Sequence, residues 1–306
     1  MKRGENKWLL LFVFALLVFP SLSAYGFPDL WGKITGKATS GTASVNITIG
    51  NSAPTIGFVQ AISAQDPTIG STTSITFNFT VTDTDGASNI NTSSGEAYFT
   101  RSGEATRSNT SCTQIYSAVG NNLNFTCTID MWYYDENGAW DINVTAVDIN
   151  GARAINSSTT FTYNVQTAMT MSPTSLSWNS VGLSDTDTGS SNDPIIINNS
   201  GNDVDLNINV TGLNLRGETT TSEYIFANNF TVENASEGCS GTTLANATST
   251  NITSAILQRG NNSLDYNNAT SGQEQIYFCL KGVPQDISAQ SYSSSAYGAW
   301  TVEIIT

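Results

Sequence analysis

Apolar and polar residues alternate with a period of two along several stretches of this chain. Ile75, Phe77, Phe79 and Val81 interleave with Thr76, Asn78, Thr80 and Thr82. Leu123, Phe125, Cys127 and Ile129 repeat the device, as do Ile142, Val144 and Ala146, and later Leu206, Ile208 and Val210. Successive side chains of a strand point to opposite faces, so this period predicts strands with one buried and one wet side. Asp-Gly, Asn-Gly and Ser-rich turns separate them, which is the spacing of a sandwich. Strands are predicted over 56–61, 74–81, 96–101, 114–118, 123–129, 139–147 and 158–165. A second set opens with 171–178 and covers 194–202, 206–210, 224–232, Leu244, 256–257, 276–280 and 300–305.

Composition agrees with an all-β chain. Leu, Ile, Val and Phe total 69 of 306 residues, enough for a core, while 37 Ser, 41 Thr and 32 Asn favour turns and strands over long helices. With 11 Lys+Arg against 25 Asp+Glu the net charge is −14, the wrong sign for tracking nucleic-acid phosphates. The chain has no histidine. That removes Ser-His-Asp and Cys-His nucleophile systems and histidine metal cages.

The first residues read as a secretory signal. Lys2, Arg3 and Lys7 precede the apolar run 8–19, and Pro20-Ser21-Leu22-Ser23 supplies a breaker and small residues for a cut after Ser23. Twelve apolar residues span about 18 Å as a helix, short of a ~30 Å hydrocarbon core, so no transmembrane span is expected in the mature chain. Export puts the four cysteines in an oxidising compartment, where an even count favours disulfides. Three connectivities are formally possible. The local one, Cys112–Cys127 with Cys239–Cys279, is expected, because 112 and 127 flank turn residues at 118–122. No CxxC pair and no His exist to complete a tetrahedral metal site.

Fifteen Asn-X-Ser/Thr triplets occur, about twice the chance number. Several have the form Asn-apolar-Thr, which a strand makes automatically when Asn and Thr fill its wet face. Asn78, Asn124, Asn143, Asn209 and Asn251 are the glycosylation candidates of this kind. Their polar faces are expected not to be buried against another sheet, so that partner contacts run through loop ends, sheet edges or the outer polar surfaces.

The expected organisation is a signal peptide over 1–23, a spacer over 24–50 with one short strand at Val45, Ile47 and Ile49, and sandwiches over 51–166 and 167–306. Asn51-Ser52-Ala53-Pro54, Val81-Thr82-Asp83-Thr84-Asp85-Gly86 and the stretch from Gly138-Ala139-Trp140 to Asp148-Ile149-Asn150-Gly151 resemble tandem immunoglobulin-like modules of archaeal and bacterial surface proteins, S-layer-associated or adhesin-like. Ile197-Asn198-Asn199-Ser200-Gly201-Asn202 is similar to strand openings of such modules. The aromatic-Asp-aromatic-Gly-Asp-Gly signature of polycystic-kidney-disease repeats is absent. The resemblance implies two immunoglobulin-like sandwiches, extracellular scaffolding or adhesion, and envelope proteins or surface glycans as partners. It carries over no active site.

Two further clusters invite chemistry. Asp83 and Asp85 follow one strand, and Asp148 and Asn150 follow another whose loop lies at the same end of an immunoglobulin-like sandwich. Hard oxygen donors from two loops suit Ca²⁺, so these four residues are the candidate metal ligands. The same sequences are also ordinary turns. Trp132, Tyr133 and Tyr134, beside Asp135 and Glu136, make a sugar-stacking platform if exposed and a sandwich corner if buried. Adjacent acids alone do not make a glycosidase pair. The expectation is a non-catalytic secreted surface protein, with a Ca²⁺-ordered glycan- or ligand-binding module as the alternative.

Overall fold

The computed structural model describes residues 43–179, 181–235, 238–260 and 272–306. The signal peptide and the spacer up to residue 42 lie outside the described residues. Asn51–Thr306 form one compact unit that holds two separate hydrophobic cores.

Eight strands build the first core: β1 (Thr55–Val59), β2 (Thr72–Thr82), β3 (Glu96–Thr100), β4 (Arg107–Asn109), β5 (Thr113–Val119), β6 (Asn122–Trp132), β7 (Gly138–Val147) and β8 (Arg153–Tyr163). They pair antiparallel in two sheets of order β1-β2-β6-β5 and β4-β3-β7-β8. The register keeps the alternation in phase across strands, with Ile75 opposite Ile129, Phe79 opposite Phe125 and Val81 opposite Leu123. Their rings interlock inside: Phe79 stacks on Phe125 at 5.2 Å between centroids, and Phe99 meets Phe161 at 4.7 Å. On the opposite face the same register pairs hydroxyls and amides. Thr76 meets Thr128 at 2.8 Å, and the hydroxyls of Thr80 and Thr82 donate to Asn124 and Asn122 at 2.6 and 2.7 Å.

Twelve strands build the second core: β9 (Met169–Ser172), β10 (Thr186–Gly189), β11 (Ile195–Asn199), β12 (Leu206–Gly212), β13 (Leu215–Gly217), β14 (Tyr224–Ile225), β15 (Phe230–Glu233), β16 (Thr242–Thr243), β17 (Thr248–Leu257), β18 (Gln273–Gly282), β19 (Tyr292–Ser293) and β20 (Thr301–Ile305). One sheet runs β16-β15-β18-β11-β9, with β10 pairing β18 beyond β11. A three-stranded sheet, β17-β12-β20, faces it, and a small one, β14-β13-β19, lies beside them. Phe230 sits at the centre, with Trp178 and Trp300 each 5.1 Å away.

Several expectations need correction. The first sandwich has an eighth strand, β4, whose Arg-Ser-Asn carries no alternation to read. β8 begins at Arg153, five residues before the expected start, because its outer face includes the exposed Ile155 beside Asn156 and Ser157. Residues 43–50 form no strand, and Val45, Ile47 and Ile49 are 80, 79 and 87% exposed. β17 was legible only at its last two residues. Its register slips opposite Asn207–Asn209, so the buried Ile252, Ala255 and Leu257 break the period of two.

The stretch between the two cores is polar and tightly bonded. Asn202, fully buried, donates through Nδ2 to the carbonyls of Asp135 and Asn164 at 3.0 Å each and accepts from the Gln166 amide at 2.7 Å. The Ser200 amide donates to Ala168, and the Gly70 amide donates to Ser200. Arg259 reaches across from the second sandwich. Its guanidinium grips both carboxylate oxygens of Glu104 at 3.0 and 2.6 Å and the Tyr134 carbonyl at 2.8 Å. A Cβ on Gly201 would overlap the Gln166 carbonyl oxygen, so only glycine lets the two backbones approach this closely.

Candidate functional site

The two acidic loops do come together at one end of the first sandwich. After β2, Asp83 closes a turn by accepting the Asp85 amide at 2.8 Å. After β7, Asp148 accepts the amides of Asn150 and Ala152 at 2.9 and 2.8 Å, around Gly151 at φ +89°. A backbone bridge between Ile90 and Asp148 ties one loop to the other.

Asn51 joins them. Its Nδ2 donates to Asp148 at 2.6 Å, and its Oδ1 accepts from Asn89 at 2.9 Å and Asn150 at 2.7 Å. Asn89 also donates to the second oxygen of Asp83, at 3.2 Å, while the Ser52 amide binds Asp85 at 2.7 Å. Asp83 and Asp148 are 0 and 2% exposed, and among the described residues no Lys or Arg pairs with either. The Asn51 amide, with backbone amides of the loop, holds the Asp148 carboxyl below the usual carboxylate range. Two buried carboxylates are thus balanced by neutral amides alone. Among the described residues, no three acidic, histidine or cysteine side chains form a metal-binding group. A cation here would rely on amide oxygens turned inward from Asn51, Asn89 and Asn150. Sequence reasoning found Asp83, Asp85, Asp148 and Asn150 but missed Asn51 and Asn89. The signal available was the Asn at the head of Asn51-Ser52-Ala53-Pro54.

The aromatic cluster lies at the other end of this sandwich, in the junction. Tyr133 and Tyr134 are each 2% exposed, and Trp132 is half-buried and stacked on Tyr134 at 5.6 Å. Burial removes the two tyrosines from any sugar platform. They pack instead around an ion pair: the Arg107 guanidinium lies 5.8 Å from the Tyr134 ring centre and binds the buried Asp135 in bidentate fashion. Burial pushes the Asp135 carboxyl above its ordinary value, and the guanidinium pulls against that. Toward the C-terminus, Tyr292 donates to Glu223 at 2.7 Å, and the Trp300 indole donates to the Leu213 carbonyl at 2.9 Å.

Both expected disulfides are present. Cys112 faces Cys127 across the β5–β6 hairpin with Cα atoms 4.6 Å apart, and Cys239 joins Cys279 of β18 at 5.3 Å. Each staples one sandwich internally.

The five candidate glycosylation residues sit on wet faces, half-buried except for the exposed Asn251. The Nδ2 atoms of Asn143, Asn209 and Asn251, where a sugar would attach, donate to Thr100, Ser249 and Asn209. Asn209 and Asn251 stand directly opposite each other on β12 and β17.

These features define an all-β chain with two internal disulfides, in which no described helix is long and apolar enough to cross a membrane. No family model matches the chain, and no curated protein matches it.

Proposed function

We propose that this chain is a secreted, non-catalytic structural or adhesion component of a cell surface, built from two immunoglobulin-like modules that act as one stiff body. The strand orders β1-β2-β6-β5 and β4-β3-β7-β8 support the immunoglobulin-like reading of the first module, since they correspond to an A-B-E-D sheet against a C′-C-F-G sheet. The observation that carries the proposal is the combination of one disulfide per sandwich with a junction of buried polar bonds. Such a body holds its shape outside a cell and presents faces rich in hydroxyl and amide groups. Export, envelope partners and glycosylation belong to this reading.

Intact mass of the exported protein, reduced and unreduced and before and after deglycosylation, tests it. Expected are loss of residues 1–23, thiols that react only after reduction, and a mass excess removed by deglycosylation. The opposed pair Asn209 and Asn251 is expected to carry at most one sugar chain. Retained leader and freely reactive thiols would overturn the proposal.

The loop cluster favours a second reading, in which Ca²⁺ orders that end for ligand binding. Asp83, Asp85 and Asp148, with the side-chain oxygens of Asn51, Asn89 and Asn150, would supply the hard donors Ca²⁺ takes. Calcium is then expected to give a calorimetric binding isotherm and about 2.7 kcal/mol of stabilisation at a hundredfold excess over Kd. Both effects should vanish in Asp148→Asn. Neither heat nor a shift in Tm on adding calcium would sink this reading.

A further inference from the structure

The outer face of the small sheet β14-β13-β19 carries a row of aromatic rings. In β14 the period of two turns Ile225 into the second core, where it is 6% exposed, and Tyr224 outward. Leu215 and Arg216 of β13 divide in the same way, since Leu215 stands opposite Ile225 and Arg216 opposite Tyr224. Phe226 follows, with its ring 6.1 Å from that of Tyr224 and inclined to it by only 21°. Tyr297 comes from the segment after β19. Its ring lies 6.4 Å from that of Tyr224, and its hydroxyl donates to the Tyr224 hydroxyl at 3.4 Å. About half of Phe226 and of Tyr297 is exposed.

Arg216 stands among these rings. Its guanidinium carbon lies 5.9 Å from the centre of the Tyr297 ring, a cation–π contact. The chain has 25 acidic residues for 11 basic ones, so carboxylates are plentiful. Arg101, Arg107, Arg153 and Arg259 each pair with one. Arg216 pairs with none among the described residues, although Glu218 is two positions away and Glu223 directly precedes Tyr224. Glu223 is engaged elsewhere, accepting from Ser288, Gln290 and Tyr292.

The chemistry of this face selects a ligand. A guanidinium is a planar fork that takes a carboxylate through two parallel N–H bonds. Exposed aromatic rings take the C–H face of a sugar, which is amphipathic as they are. Ser293 stands opposite Arg216 on β19, and its hydroxyl meets that of Ser295 at 2.8 Å, a rim suited to a hydroxyl-rich ligand. A protein partner fits less well. Three partly exposed rings offer roughly 300 Å² of apolar area, short of the ~800 Å² per partner of a standard protein interface.

We propose that this face binds an acidic polysaccharide, with Arg216 taking the carboxylate of a uronic acid residue and Tyr224, Phe226 and Tyr297 stacking on the sugar rings. The proposal deepens the surface role by naming a glycan as partner, and rests on that role only for where the glycan is met. It needs neither calcium nor glycosylation of this chain.

Calorimetric titration of the purified full chain with hexagalacturonate, a short uronic acid polymer, tests it. The expected result is saturable binding at one site per chain, weakened roughly tenfold or more in Arg216→Gln and in Tyr297→Ala. Arg216→Lys keeps the charge without the fork and should recover only part of the loss. Maltohexaose, neutral and of equal length, should bind more weakly than the uronate, and added salt should narrow the gap. If Arg216→Gln lowers Tm, Tyr297→Ala and Phe226→Ser carry the same test, because both rings are half-exposed and lie outside the two cores. Each of four results would overturn the proposal: no saturable binding of the uronate, binding unchanged in these variants, maltohexaose bound as tightly, or inorganic polyphosphate bound more tightly, which would mark a site that reads charge alone. Because the titration does not depend on export, it can fail while the intact-mass test succeeds, and the reverse.

Discussion

Arg107→Met is expected to lower the unfolding free energy by about 3–5 kcal/mol, because it strands Asp135 as an unpaired buried charge. Asp135 is fully buried and takes both Nε and Nη2 of Arg107, whose own side chain is only 13% exposed. A second bond, from the Trp132 amide to Asp135 at 2.7 Å, fixes the carboxylate in the turn that begins the junction. Once the guanidinium is gone, the Trp132 amide opposes burial without a countercharge, and the carboxyl must take up a proton or open the turn to water. Removing both charges should do much less harm, since an apolar pair of similar volume escapes the desolvation penalty. Arg107→Met with Asp135→Leu is thus expected to recover most of the loss. Urea denaturation of the single and double variants provides the measurement. A single-variant loss below about 1 kcal/mol would mean that the pair behaves like a solvated surface bridge.

Gly201→Ala is expected to cost about 3 kcal/mol and to uncouple the two sandwiches, since overpacking against rigid backbone has no soft way out. The added methyl would meet the Gln166 carbonyl and the Ala168 amide, both main-chain atoms that no rotamer change can move. Relief requires the β11–β12 loop to withdraw. That withdrawal breaks the bonds of Asn202 to Asp135, Asn164 and Gln166 and of Ser200 to Ala168. Both cores lie away from this loop and should persist. The observable outcome is therefore two melting transitions in place of one, with faster proteolytic cleavage near 164–168. A single cooperative transition at unchanged temperature would show that the loop accommodates a methyl group after all.

These variants probe the part of the molecule that the sequence conceals. The strands of the first sandwich were legible because β2 and β6 are regular: Ile75, Phe77, Phe79 and Val81 meet Ile129, Cys127, Phe125 and Leu123 without a slip. Where a strand slips, as β17 does against β12, the apolar residues fall out of phase and pattern reading sees only Ile256 and Leu257. β4, β13 and β19 are only two or three residues long, too short to show a period, and their neighbours hold them in place. The junction was illegible for another reason. Asn202 and Asp135 are 67 residues apart, Arg259 and Glu104 are 155 apart, and nothing local marks either pair. Trp132, Tyr133 and Tyr134 were ambiguous in principle, because an aromatic run beside acids reads the same in a corner as on a platform. Half the loop cluster was visible as two Asx turns. Asn51, which links them, was not, because its partner Asp148 lies 97 residues away.

The rungs of hydroxyl and carboxamide groups across the outer sheet faces carry no formal charge. Thr76 with Thr128, Thr80 with Asn124 and Thr82 with Asn122 are neutral pairs, as is Asn209 with Asn251. Dissolved ions weaken an exposed ion-paired surface within a Debye length of about 8 Å at physiological ionic strength, but they have no monopole to screen in such rungs. The cohesion of these neutral rungs is therefore insensitive to the salinity of the medium, in contrast to the charge-bearing pairs of Ser74 with Asp130 and Arg153 with Glu96.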